Sequence, residues 1–350
     1  MKKIAIILIN YKDYAAKYLA DCWASLRAQD YAGEIKFFIV DNASTPESFE
    51  YLKKNAPEAE IIKNKNNDGF AKGNNDAMNL ALALNYDYVI LFNMDTIVEK
   101  DCVSEMVKAA ATDAKIGAVQ ARLMLYPEKE KVNSLGNVTH FLGFGYSAGY
   151  QEKFNGDLSV KDIMYPSGAA VLFPAASLKK VGLFDEEFWM YNEDQDLGWR
   201  LWLAGYRCVL APRAVVYHKY EFGKSIKQFY YMDRNRLITA FKNYSFLTLI
   251  LIFPAFVIME LGLLLYSLKS GWFKERLRVW LYFLTPWKWP YLLEARRRTQ
   301  RLREVNESKI LKMISGKIWY QEVADNKLKF INPIFNAYWK LVRGFISLIN

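Results

Sequence analysis

The residues best suited to chemistry are concentrated in one decapeptide, Tyr191-Asn192-Glu193-Asp194-Gln195-Asp196-Leu197-Gly198-Trp199-Arg200. Three carboxylates (Glu193, Asp194 and Asp196) fall within four residues, directly after the aromatic cluster Phe188, Trp189 and Tyr191. Leu197, Leu201 and Leu203 follow, and Gly205 ends the run. This spacing predicts a helix with an acidic first turn. Free backbone N–H groups and the positive end of the helix dipole favour ionised carboxylates there. A carboxylate held in that way can act as a general base. Ordinary capping by Asn192 or Asp194 fits the same residues.

A second group of residues suits a metal–diphosphate site, which needs hard oxygen ligands on a rigid edge and open positions for phosphate. Asp95 follows the apolar run Tyr88-Val89-Ile90-Leu91-Phe92, and Asn93 lies two residues before it. In extended geometry both point the same way. His218, one of two histidines, ends the run Val215-Val216-Tyr217 and could supply a nitrogen. Asn10 and Asp41 end two further apolar runs, 4–9 and 37–40.

The elements that must position these residues alternate. Strands are expected at 4–9, 37–40, 60–62 and 88–92, with helices at about 17–29 and 76–84 and a polar helix around Phe49 and Leu52. Asn67 to Asn75 reads as a Gly/Asn-rich loop. The alternation implies an α/β fold with a mostly parallel central sheet flanked by helices. Ligands in such sheets sit beyond the carboxyl ends of the strands, where Asn10, Asp41 and Asp95 fall. Residues 117–180 look less regular. They hold several glycines and the segment Ser167-Gly168-Ala169-Ala170 before a strand at 171–173.

Residues 269–350 carry 17 Lys/Arg and 6 Asp/Glu, so this tail's +11 accounts for the whole chain's +10. Trp272, Trp280, Trp287, Trp289 and Tyr291 lie in the same tail. Phe246–Leu268 is 23 residues with one charge, Glu260, and one proline, Pro254. That length could cross a hydrocarbon core, but a single span would place the basic tail outside, against the positive-inside tendency. A hairpin with 279–292, or a partly embedded segment bent at Pro254, avoids this. Residues 330–349 have the apolar spacing of an in-plane amphipathic helix. The basic, aromatic tail beside an apolar run favours a membrane surface over nucleic acid. Three dispersed cysteines (Cys22, Cys102 and Cys208) suggest free thiols in a reducing compartment. Residues 4–9 read as a buried strand and not as a signal peptide.

Taken together, the motifs resemble the family 2 glycosyltransferases, inverting enzymes of the GT-A fold. The resemblance covers roughly 1–245. It rests on the IIL-IN-Y start, VDNAS at 40–44, NxGFAKGNN at 67–75, NMD at 93–95 and MYxEDxDLxxR at 190–200. It is strongest toward rhamnosyltransferase-like and galactofuranosyltransferase-like members, in which N-x-D replaces D-x-D. The resemblance implies that Asn10 and Tyr11 line the nucleotide pocket and that Asp41 bonds the donor's base or ribose. Asn67, Gly69, Gly73, Asn74 and Asn93 would shape the donor site. Asp95 and His218 would hold Mg²⁺ or Mn²⁺. Asp194 would be the general base, with Glu193 supporting it and Asp196 structural. Ser167, Gly168 and Ala169 would flank the acceptor, with Trp189, Trp199 and Arg200 on the same side.

The expected domains are a catalytic one at 1–245 and a helical, basic membrane-association region at 246–350. The expected reaction moves a sugar, with dTDP-rhamnose as first donor, onto a hydroxyl of a lipid-linked or other saccharide acceptor. It would take place at the cytoplasmic face of the membrane, in cell-surface polysaccharide or glycan assembly. UDP-galactofuranose, UDP-hexoses and GDP-mannose are the alternative donors. No Gln-x-x-Arg-Trp block follows the acidic helix, which argues against processive synthesis. A nucleotidyltransferase would need a Gly-rich, Arg-containing loop after the first strand, where Asn10-Tyr11-Lys12-Asp13 stands. The other class considered is a non-catalytic nucleotide-sugar or glycan-binding protein at the membrane. Oligomeric state is left open.

Overall fold

A computed structural model describes residues 1–220, 229–318 and 326–349. The chain forms two compact units. The first comprises 1–137, 147–201 and 206–220, and the second comprises 138–146, 202–205 and 221–350. The expected boundary at 245/246 therefore falls inside the second unit.

The first unit is built on a ten-stranded sheet. Strand β1 (Ile4–Tyr11) is buried on both faces, as its unbroken apolar run requires. It pairs in parallel with β2 (Ile35–Asn42) and β4 (Tyr88–Phe92), and β3 (Glu60–Asn64) joins β2 in parallel. Beyond β4 the sheet becomes mixed. Strand β11 (Ala170–Pro174) runs antiparallel to β4 and to β6 (Ile116–Leu125), and β12 (Arg207–His218) runs parallel to β6. Strand β5 (Thr96–Val98) pairs with the end of β12 and sets Thr96 opposite His218. The shorter strands are β7 (Val132–Ser134), β8 (Asn137–Thr139), β9 (Gly145–Ser147) and β10 (Lys161–Asp162).

The ten-residue β6 lies in the stretch that looked irregular. Gln120 and Arg122 interrupt its apolar pattern, yet Gln120 is fully buried because its side chain is hydrogen bonded.

Helix α1 (Tyr14–Arg27) buries Ala15, Leu19, Cys22, Trp23 and Leu26. Helix α2 (Pro46–Asn55) starts with a capping box between Thr45 and Ser48. Helix α3 (Gly69–Ala83) takes in most of the expected loop. Helices α4 (Cys102–Ala111) and α5 (Ala175–Val181) precede α6 (Glu193–Leu203), the acidic helix. The three cysteines are free and buried. Burial pushes the Cys22 thiol up to about 12, which leaves no thiolate for nucleophilic chemistry.

The second unit is helical. It contains α7 (Phe229–Asn243), α8 (Phe246–Ser270), α9 (Phe273–Leu284), α10 (Trp289–Arg301), α11 (Glu307–Leu311) and α12 (Asn326–Ile349). Its interior holds a four-charge cluster. Arg236 binds Asp233 (Nε–Oδ1 2.8 Å) and Glu260 (Nη2–Oε1 2.7 Å), and Arg276 binds the same two carboxylates. Two cations meet two anions, so the charges balance inside the fold.

Candidate active site

The acidic helix is approached through backbone that side chains seldom adopt. Trp189, Tyr191 and Asn192 have φ values of 59°, 70° and 64°. Such residues cost about 1–3 kcal/mol each and persist only where the surroundings over-determine them. Here the start of α3 does so. The Phe70 and Ala71 N–H groups donate to the Trp189 carbonyl (2.7 and 3.1 Å), and Trp189 Nε1 donates to the Asn67 carbonyl. The same bonds explain why α3 begins at Gly69, earlier than expected. A carbonyl remote in sequence satisfies its first N–H groups, a partner that local propensity does not report.

Gly69 has φ +78°, and a Cβ there would lie 2.4 Å from the Trp189 carbonyl oxygen. At Gly73 a Cβ would meet Asn42 Nδ2 at 3.0 Å and Ile9 Cδ1 at 3.1 Å. Both glycines serve close approach, one to the acidic segment and one to the strand tips.

Within α6 the three carboxylates differ. Asp194 accepts hydrogen bonds from the Gly168 N–H (3.2 Å) and the Gln195 N–H (2.7 Å). Burial pushes it up to about 6, against the pull of these two donors. Glu193 is 5% exposed, and its Oε2 has no hydrogen-bond partner. Burial, and then the neighbouring Asp194 charge, raise it well above the ordinary glutamate range. The pair therefore divides its protons, with the ionised form favoured on Asp194 and the neutral form on Glu193.

Asp196 accepts from Arg200 Nε at 2.9 Å. Arg200 also donates to the carbonyls of Val181 (2.6 Å) and Leu183 (2.7 Å). Trp199 is 1% exposed. Trp199 and Arg200, expected on the acceptor side, are thus interior braces of the acidic helix. Their helical register turns them away from solvent. Arg200→Met would remove the guanidinium that pairs with Asp196 in the core. The expected cost is about 3–5 kcal/mol, readable by thermal or denaturant unfolding.

The tips of β1 and β2 are joined side by side. Asn10 Nδ2 donates to Asp41 Oδ1 (2.7 Å), and the Ser48 hydroxyl donates to Asp41 Oδ2 (2.6 Å). Asn10 Oδ1 accepts the Ala15 N–H at the start of α1 (2.8 Å). Asp41 is fully buried, so it organises this edge, while Tyr11 beside it is 37% exposed. Asn74 is also buried and turns its amide onto the Phe70 carbonyl of its own helix.

At the tip of β4, Asp95 Oδ1 lies 3.2 Å from His218 Nε2. His218 Nδ1 is 2.9 Å from Asn133 Oδ1. With Nδ1 on Asn133, Nε2 is the ring nitrogen that faces Asp95. Asp95 Oδ1 is buried and has no hydrogen-bond partner. Burial raises this carboxyl, but the contacts with His218 and Tyr14 outweigh it and hold it below the usual aspartate range. Two lone-pair atoms at this separation fit adjacent ligand positions on a small divalent ion, for which about 3 Å is expected from bond lengths near 2.1 Å. Among the described residues no cluster of three or more His, Cys, Asp or Glu forms a complete cage. Remaining positions on an ion would thus fall to diphosphate and water. Asn93 is half-buried, and its side chain has no partner among the described residues.

One tripeptide links the two constellations. The Asn93 N–H donates to the Ala169 carbonyl (2.9 Å), the Gly168 N–H donates to Asp194, and the Ser167 N–H donates to Gln120 Oε1 (2.7 Å). Ser167, Gly168 and Ala169 therefore sit between Asp95 and Asp194. Sequence reasoning missed Ser48, Gln120, Asn133 and Asn75. Asn75 exchanges hydrogen bonds with both the N–H and the carbonyl of Phe184, tying α3 to the chain before the acidic helix. A buried-helix Asn and a Gln in an apolar strand were the available signals.

The mixed α/β sheet of the first unit thus carries the Asp95–His218 pair beyond its strand ends, with the buried Glu193–Asp194 pair at the start of α6. The family model of glycosyl transferase family 2 matches residues 5–180, and the chain belongs to that family. It is a glycosyltransferase with a GT-A type fold. An N-acetylglucosaminyl-diphospho-decaprenol L-rhamnosyltransferase of Mycobacterium tuberculosis is 30% identical over 145 residues, 38% of this chain and 47% of the relative. A poly-beta-1,6-N-acetyl-D-glucosamine synthase of Staphylococcus aureus is 24% identical over 221 residues, 61% of this chain and 49% of the relative. The chain spans about half the length of these curated relatives. Among solved structures, GalNAc-T7 with UDP, GalNAc and Mn²⁺ has a TM-score of 0.55 at 12% identity, covering 68% of this chain and 47% of that one. S. aureus TarS 1–349 in complex with UDP has a TM-score of 0.50 at 15% identity, covering 99% and 92%.

Proposed function

We propose that this enzyme transfers a sugar, with inversion and non-processively, from a nucleoside-diphosphate donor to a hydroxyl of a saccharide acceptor. The observation that carries the reading is the tripeptide 167–169, which ties the Asp95 tip to Asp194. Asp194 takes the acceptor hydroxyl's proton as that oxygen attacks the anomeric carbon. The bond from that carbon to the diphosphate breaks on the opposite side, and the nucleoside diphosphate leaves with the electron pair. Glu193, kept neutral, adds no second charge beside the base. The Asn10–Asp41–Ser48 edge and Tyr11 shape the nucleotide end, and Gly69 and Gly73 let α3 approach the donor side. Asp95 and His218 would hold Mg²⁺ or Mn²⁺, which when bound offsets charge developing on the diphosphate. Asn93 supplies a neutral oxygen where a second carboxylate would bind more strongly.

dTDP-rhamnose is the first donor proposed. The support is the motif resemblance together with a 30% identical relative named for L-rhamnosyl transfer. A lipid-diphosphate-linked saccharide at the cytoplasmic face of the membrane is the matching acceptor, with the helical region 246–350 making the membrane association. A donor panel tests this. dTDP-rhamnose, UDP-galactofuranose, UDP-hexoses and GDP-mannose are incubated with an N-acetylglucosaminyl-diphospho-lipid acceptor, and nucleoside diphosphate release is scored. Release from dTDP-rhamnose at least about tenfold above the rest is expected. Preference for another donor overturns the rhamnose assignment, and no acceptor-dependent release from any donor overturns the acceptor class.

A further inference from the structure

Helix α8 is the one described helix long and apolar enough to cross a membrane. Its surroundings show two unlike faces along its full length. Thr248, Ile252, Ala255, Glu260 and Ser267 are buried. Phe246, Ile250, Phe253, Leu261, Leu265 and Leu268 are 53–71% exposed on the other side. The buried face is held by polar contacts. Thr248 Oγ1 donates to Glu307 Oε2 (2.8 Å), the Ser245 N–H donates to Glu307 Oε1 (2.7 Å), and the Tyr338 hydroxyl donates to the Leu251 carbonyl. The helix's single carboxylate, Glu260, is locked between Arg236 and Arg276.

Two neighbouring helices repeat the pattern. In α9, Leu277, Leu281 and Leu284 are exposed at i, i+4 and i+7, while Arg276, Val279 and Tyr282 are buried. In α12, Phe335, Trp339, Val342 and Ile346 face inward, while Ile334, Leu341, Phe345 and Leu348 are 49–86% exposed. Exposed apolar side chains in this number mark an interaction surface. Exposed cations accompany them, with Lys269 on α8, Lys274 and Arg278 on α9, and Lys340 on α12.

From these faces we infer that α8, α9 and α12 form a platform that enters one leaflet of an anionic membrane in the plane of the interface, without crossing it. The inference rests on the membrane reading above and sharpens it. A spanning α8 would need lipid or apolar protein around it, whereas its inner face is committed to Glu307, Arg236 and Arg276. The outer face needs an apolar cover, and the cations on the same helices match anionic headgroups. The expected hairpin with 279–292 is replaced by α9, a twelve-residue helix with charged residues on it, too short to cross.

The full chain is tested in two ways. In flotation, binding to phosphatidylcholine–phosphatidylglycerol (7:3) vesicles should exceed binding to pure phosphatidylcholine about tenfold. The triple variant Phe253→Asp, Leu261→Asp, Leu265→Asp should lose it while keeping transfer to a water-soluble acceptor. In sidedness, Lys53→Cys and Lys269→Cys are treated with an impermeant maleimide in spheroplasts and in inverted membrane vesicles. Both should be labelled only in inverted vesicles. Labelling of Lys269→Cys alone in spheroplasts overturns the in-plane mode and leaves membrane association standing. Absence from the membrane fraction and from floated vesicles overturns both readings. A wild-type chain found to be dimeric, together with a triple variant that floats normally as a monomer, assigns the face to a second copy of the chain and overturns the inference.

Discussion

Asp194→Asn is expected to lower kcat by about 10²–10⁴-fold, with donor affinity within about twofold of wild type. The amide keeps the shape and can still accept one N–H bond, but it cannot take the acceptor's proton. The wild-type kcat/KM should fall tenfold per pH unit below about 6, where burial sets the carboxyl, and the residual activity of the variant should lack that limb. Stability moves in the opposite direction. The folded carboxyl titrates near 6, above its ordinary value of 3.8, so between these values the native state binds more protons than the unfolded chain. Stability thus decreases as pH rises through this window, and the penalty is complete above it. Asp194→Asn should raise the melting temperature at pH 7.5 and change it little at pH 4. Glu193→Gln should keep most activity, because a neutral amide replaces a neutral acid. A variant of Asp194 that transfers sugar normally, or that loses stability and activity together at pH 7.5, would return the acidic turn to a capping role.

Chelation should abolish transfer, and Mn²⁺ or Mg²⁺ should restore it. Asp95→Ala and His218→Ala should each cost at least about 10²-fold in activity at fixed metal, on the scale typical of electrostatic stabilisers of developing charge. A binding readout is available as well. Calorimetry should show weak Mn²⁺ binding to the protein alone and tighter binding with dTDP, since two protein ligands leave the remaining positions to phosphate and water. Asn133→Ala should weaken Mn²⁺ binding about 10–100-fold while leaving kcat near normal at saturating metal, because Asn133 only fixes the imidazole's tautomer and orientation. Full activity in chelator, or unchanged Mn²⁺ affinity in His218→Ala, removes the metal role from this pair.

Much of the fold was legible because burial leaves a periodic trace. The runs at 4–9, 37–40 and 88–92 are strands, and the polar residues ending them lie at one edge of the sheet. The acidic helix was legible for the same reason. What the periodicity could not carry was partnership. Trp199 and Arg200 belong to the same motif as Asp194 but point inward, since successive helical residues face different ways. The loop expected at 67–75 is mostly helix because a carbonyl far along the chain caps it.

By itself the sequence determined the kind of protein this is: an α/β transferase with clustered carboxylates after an aromatic cluster and with Asp, Asn and His residues at strand ends. It also determined that one long apolar helix adjoins a basic tail. Residue type and period report how each segment meets water, and this information is local. Only the tertiary structure decided that Asp95 faces His218, that Ser167 to Ala169 join that pair to Asp194, and that Glu260 is held by Arg236 and Arg276. Those facts rest on contacts between segments remote in the chain. Proton affinity, ligand geometry and membrane orientation all depend on such neighbours, and no single segment contains them.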